Sequence, residues 1–151
     1  MKLFVTYLLI LSFSISCATT YSQVNEKRYT HIKDIYKTAE RIRGNYIPYD
    51  LEDALRTLDT LCTEEDKAKI RKMEVGDFAA LSHFGLALYL RNNWLMRLDS
   101  RITTYMREHY RFISIYDIDD ISNAIVEVFD RKLHDENFDV EAYMQEHYPK
   151  K

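Results

Sequence analysis

The chain has 151 residues, 46% hydrophobic and 30% charged, which is room for one folded domain and a leader and excludes a disordered polymer. A net charge of −3 disfavours nucleic acid or anionic lipid as the main partner. Only 3 Gly and 2 Pro punctuate it, too few for the turns of a sheet-rich domain, so helices joined by short loops are expected.

The N-terminus has the pattern of an export signal. Lys2 precedes an uncharged, largely apolar run from Leu3 to Ile15, shorter than the ~20 residues a membrane-spanning helix needs. Two processing routes fit. Thr20-Tyr21-Ser22 before Gln23 suits an ordinary signal peptidase and makes 1–22 a signal peptide. Ser14-Ile15-Ser16-Cys17 resembles a bacterial lipobox and would leave a lipid on Cys17 after a 1–16 signal. Simple cleavage removes Lys2 and no acid, leaving 20 basic against 24 acidic residues, a net of −4. Either route leaves Cys62 alone, so no internal disulfide is expected and packing must hold the fold.

Residues 23–45 form a charged segment, a first helix or a tether, with Tyr29, Ile32, Tyr36 and Ala39 at helical spacing. Gly44-Asn45 breaks it, and Ile47-Pro48 forces an extended residue. A helical domain over 46–148 follows. Asp50 caps a helix whose stripe is Leu51, Ala54, Leu55, Leu58, Leu61 and Cys62. Thr63-Glu64-Glu65-Asp66 is close to a capping box and opens a second helix toward Met73.

Asp77 then caps a segment, Phe78 to Leu95, that is apolar almost all round. Leu81, Phe84, Gly85, Leu88, Asn92 and Leu95 share one face; His83, Leu86, Ala87, Leu90 and Trp94 share the opposite one. Such a helix belongs between other helices. Gly85 in its interior costs about 1 kcal/mol against Ala and predicts a point where another backbone crosses. Ser100 caps a helix with Ile102, Tyr105 and Met106 inside, and Phe112 to Tyr116 makes a short extended link. Asp117 caps the next helix, with Asp119 and Asp120 in its first turn and Ile121, Ala124, Ile125 and Val128 buried. Asp139 caps a last helix with Val140, Tyr143, Met144 and Tyr148. The expected fold is all-α, a compact bundle of about five to six helices around a buried central helix, 78–95.

Several segments occur together in a recognisable order: Ile47-Pro48, Leu51-Glu52-Asp53, His83-Phe84-Gly85-Leu86, Arg91-Asn92-Asn93-Trp94, Ser100-Arg101-Ile102 and Asp119-Asp120-Ile121-Ser122. Over Tyr46 to Leu133 the chain resembles a family of exported bacterial proteins whose shared domain has no assigned function. It departs from that pattern at Leu95-Met96-Arg97-Leu98, where the family tends to carry Gly and a second Trp, and at Ile118, where it tends to carry Pro. The resemblance implies an exported helical domain and supplies no reaction.

Three groups of residues compete for a functional role. His83, Arg91 and Asn92 are the catalytic candidates, His83 as acid or base with Arg91 and Asn92 on an anionic or carbonyl group. The preferred alternative is a hydrogen-bonded knot, because Asn92 falls on a core face and a buried unpaired amide costs about 1–3 kcal/mol. Trp94, Arg101, Tyr110 and Arg111 are the binding candidates. They belong to or flank a stretch (Tyr105, Arg107, Tyr110, Arg111) that interleaves rings with cations as protein interfaces do, near an exposed rim at Arg97 and Arg101. His31, His83, His109, His134 and His147 show no zinc-ligand spacing, and Asp119 and Asp120 point about 100° apart, so no metal site is expected. No cofactor motif is present either.

The function expected is therefore a non-enzymatic binding or structural protein of the bacterial envelope, periplasmic, secreted or held by a lipid on Cys17. Its partner would be a protein or small ligand of that compartment, not nucleic acid, with membrane contact only through the lipid. A small hydrolase or ligand-binding enzyme using His83, Arg91 and Asn92 is the alternative, and an antitoxin-like inhibitor is suggested only by size, helicity and acidity.

Overall fold

The computed structural model describes residues 35–95, 99–113 and 117–150. Cys17, both candidate cleavage sites and Arg97 lie outside the described residues. All of the architecture below belongs to the unit 36–151.

The expected break at Gly44 is a two-stranded hairpin. β1 (Arg41–Ile42) pairs antiparallel with β2 (Asn45–Tyr46), and both turn residues, Arg43 and Gly44, have positive φ (52° and 85°), as a tight hairpin turn requires. The hairpin tucks Ile42 and Ile47 into the core. The remainder is helical, as composition suggested. α1 (Leu51–Leu61) starts where Asp50 accepts the Asp53 amide at 2.7 Å and buries Leu51, Ala54, Leu55 and Leu58; Leu61 is exposed. Cys62, half-buried, ends it, and burial pushes its thiol pKa up. α2 (Glu64–Ile70) begins at the Thr63 cap. Buried Lys67 pins α2 to α1 through Asp59 at 2.7 Å and also pairs with Glu64 of its own helix at 2.8 Å.

The segment expected as a central rod is neither continuous nor enclosed. It runs as α3 (Asp77–Leu81), a 3₁₀ turn (Ser82–Phe84), α4 (Leu86–Leu90) and a π-turn (Arg91–Leu95). The break is Gly85, whose ψ of −104° lies far from the helical value of about −42°. No backbone crosses there: a Cβ on Gly85 would meet only the Ser82 carbonyl, at 3.8 Å. Of the two apolar faces, one is bare over most of its length, with Phe84 83% and Leu81 69% exposed, and is buried at its end, at Leu95. The other buries Ala87, Leu90 and Trp94. Asp77 is not the cap of α3; left-handed Gly76 is, without a side-chain hydrogen bond.

α5 (Arg101–His109) follows a Ser100 cap and buries Ile102 and Met106. α6 (Ile118–His134) is the physical centre. It packs against α1, α2, α3, α4, α5 and the π-turn, and Ile121, Ala124, Ile125, Val126, Val128 and Phe129 along it are buried. Asp117 precedes it without a side-chain capping bond. α7 (Val140–His147) starts at Asp139, which accepts the Ala142 amide at 3.0 Å, and buries Met144. None of these described helices is long and apolar enough to cross a membrane.

Candidate functional site

The catalytic candidates do not converge on one hollow. Arg91 is buried, and its guanidinium is engaged on three sides: Nη2 donates to the His83 carbonyl at 2.7 Å, Nη1 to Ser122 Oγ at 3.1 Å, and Nε faces Asp119 Oδ1 at 3.0 Å. The break at Gly85 leaves the His83 carbonyl outside a regular helical ladder, where Arg91 reaches it. Ser122 Oγ in turn bonds the Asp119 carbonyl. Asn92, expected on a core face, is exposed. The His83 ring, half-buried, stands edge-on to Phe84 and lines a shallow hollow of about 420 Å³ with Asn123 and Glu127. Glu127 is already held by the Tyr143 hydroxyl and, at 3.2 Å, by Arg131; burial and the bond to Glu127 push the Tyr143 phenol up to about 12.

The other quoted segments close similar knots. Ser100 Oγ donates to the Trp94 carbonyl at 2.7 Å. Arg101 Nε donates to the Ile47 carbonyl, and its guanidinium lies 5.1 Å from the Tyr46 ring centre. Asp53 accepts the Tyr46 hydroxyl at 2.6 Å and the Tyr49 amide at 3.0 Å. The polar groups of these segments therefore tie hairpin, α1, the broken segment and α6 together. Among the described residues, no group of three or more His, Cys, Asp or Glu is placed to hold a metal ion.

Of the binding candidates, Trp94 and Tyr110 are core residues, 2% and 1% exposed. The surface role expected of them is corrected by packing: both rings are among the largest fully buried side chains. The Tyr110 hydroxyl still reaches a groove wall, donating to Glu141 at 2.8 Å, and burial together with that bond holds the phenol far above its ordinary pKa. Arg101 is half-buried and Arg111 exposed.

The larger concavity lies elsewhere, between α1, the C-terminal turn of α6 and the start of α7, with Tyr105 and Tyr110 of the α5 end on its wall; it measures about 930 Å³. Leu51, Leu55, Phe129, Leu133, Phe138 and Val140 supply its apolar surface. Six carboxylates and three cations line the rim. The sequence signal for it is slight. Each lip carries acids on an otherwise ordinary polar face, and the two lips are some eighty residues apart in the chain.

One further cluster escaped the periodicity. Ser122, Val126 and Asp130 form a second inward row on α6, four residues apart. Asp130 is fully buried, and its Oδ2 accepts the amides of Gly76 at 2.9 Å and Ala79 at 3.4 Å, capping α3 from another helix. His134 Nδ1 faces Asp130 Oδ1 at 3.1 Å and the Asp130 carbonyl at 2.9 Å, while Nε2 faces the Met73 carbonyl at 3.1 Å. Oxygens on both ring nitrogens favour the imidazolium, and the His134 pKa is raised, first by the Asp130 carbonyl.

Compared with known families, residues 47–133 match the model described as Domain of unknown function (DUF6794). That is more than half of the chain, and the chain belongs to this family. Comparison with curated proteins and with solved structures each gives no match.

Proposed function

We propose that this member of the DUF6794 family is a non-enzymatic binding module of the bacterial envelope, exported by its N-terminal segment, and that a partner polypeptide lies in the groove between α1 and the α6–α7 corner. The observation that carries this reading is the pairing of an open groove of about 930 Å³, apolar within and polar at the rim, with motif side chains that are engaged in holding the scaffold. Open apolar concavities with a few convergent polar groups are where proteins bind. A hydrolase built on His83, Arg91 and Asn92 lacks such support, since Arg91 has its donors engaged and Asn92 faces solvent.

The test is photo-crosslinking in intact cells. A photoreactive residue in place of Phe138, in the groove, is expected to give a discrete adduct that Leu133→Asp abolishes. An adduct from exposed position 92 and none from 138 would sink the groove. Fractionation of the Cys17→Ser variant checks the anchor: release from membranes supports lipidation, and an unchanged distribution rejects it.

A further inference from the structure

We propose that the groove takes a cationic amphipathic helix of about two turns, an inference that rests on the groove being the binding surface. Shape sets the length. A helix about 10 Å across rises 1.5 Å per residue, so a groove of about 930 Å³ holds roughly eight residues. Two turns present apolar anchors at i, i+3 or i+4, and i+7. The half-buried Leu133, Phe138 and Val140, with Leu55 behind them, offer such anchors an apolar bed.

Charge sets the sign. Asp50, Glu52 and Asp59 stand on the α1 lip; Glu136, Asp139 and Glu141 stand on the opposite one. Asp50 and Asp139 are engaged as helix caps. Asp59 is paired with Lys67 at 2.7 Å, and Glu141 accepts the Tyr110 hydroxyl and Gln145; Glu136 makes no hydrogen bond or ion pair among the described residues, and exposed Glu52 has only Arg56 beside it, at 3.9 Å. Of the three rim cations, Arg56 is turned to Asp53 at 3.5 Å and to Glu52 at 3.9 Å, and Arg71 donates to the Leu133 carbonyl. With Lys132 on the rim and Lys67 on Asp59, four cations stand against the six carboxylates, and the excess stays negative. A helix with an apolar stripe flanked by Lys or Arg meets a carboxylate on either side; an acidic helix or a nucleic acid meets repulsion on both. Rim charges of this kind steer and select more than they tighten.

Three labelled 14-residue peptides test this, with Leu at the same helical spacing and the polar positions all Lys, all Gln or all Glu, titrated with the full mature chain by fluorescence anisotropy. The Lys peptide is expected to bind at least tenfold more tightly than the Gln peptide, the Glu peptide not at all, and a rise from 50 to 500 mM NaCl to weaken the Lys peptide severalfold. Glu52→Lys with Glu136→Lys, both exposed positions, is expected to lose the Lys peptide and admit the Glu peptide at an unchanged melting temperature. A Gln peptide that binds as well as the Lys peptide, or a double variant that keeps the Lys peptide, overturns the cationic partner and leaves the groove standing. Binding of none of the three overturns the inference. Lys-peptide binding that survives Leu133→Ser with Val140→Ser places the contact elsewhere and removes the groove reading as well.

Discussion

The 17 residues of α6 run as one helix, whereas Asp77 to Leu95, richer in apolar side chains, breaks into four pieces. What separates them is contrast, not hydrophobicity. α6 has Asp119 and Asp120 at its start and Arg131, Lys132 and His134 at its end, as the helix dipole favours, and its polar faces fix which side turns in. Between Phe78 and Leu90 the only ionisable side chains are His83 and Tyr89, and α3 has no side-chain cap of its own. That segment takes its order from α6, through Asp130 at one end and Ser122 and Asp119 at the other. A uniformly apolar stretch states that it is to be packed without stating which face.

If α6 holds the broken segment in place, cutting the link should be costly. Arg91→Ala strands the His83 carbonyl, removes the donor from Ser122 Oγ and unpairs Asp119, and is expected to lower stability by about 2–4 kcal/mol in urea unfolding. A loss below about 1 kcal/mol would mean that apolar packing alone positions the segment.

A second link depends on pH. The His134 pKa is raised in the fold above its ordinary 6.5, so its stabilisation is complete below that value and fades as pH rises through the higher folded one. Melting temperatures of the wild type and His134→Gln should therefore differ most near about pH 5.5 and converge toward about pH 9. A gap independent of pH would assign His134 a packing role only.

The smallest effect is the sharpest discriminator. Phe84→Ser is expected to change stability by no more than about 0.5 kcal/mol, because the ring is 83% exposed. A central rod enclosed on both faces would lose about 3–5 kcal/mol at that position.

Much of the fold was legible locally. The caps at Asp50, Thr63, Ser100 and Asp139 each accept the amide three residues on, and the stripe Ile121, Ala124, Ile125 and Val128 is buried as its period demands. These are features of neighbouring residues, so a linear sequence carries them. The hairpin at 41–46 was missed because its two short strands hold no alternation, although Gly44 marked the turn. The burial of Arg91 follows from a partner about thirty residues away, and the exposure of Phe84 from the break at Gly85 beside it; periodicity registers neither. The groove is the least legible of all, because its lips come from opposite ends of the domain and neither has an unusual composition.

The carboxylate of Asp130 reaches back 54 residues to hold the Gly76 amide. Any fragment that stops short of position 130 therefore lacks the acceptor that starts α3, and the first half of the domain has no finished form of its own. Splitting this protein into two autonomous halves would leave one of them with an open end, and any rearrangement that separates α6 from α3 would have to supply a substitute for that one buried oxygen.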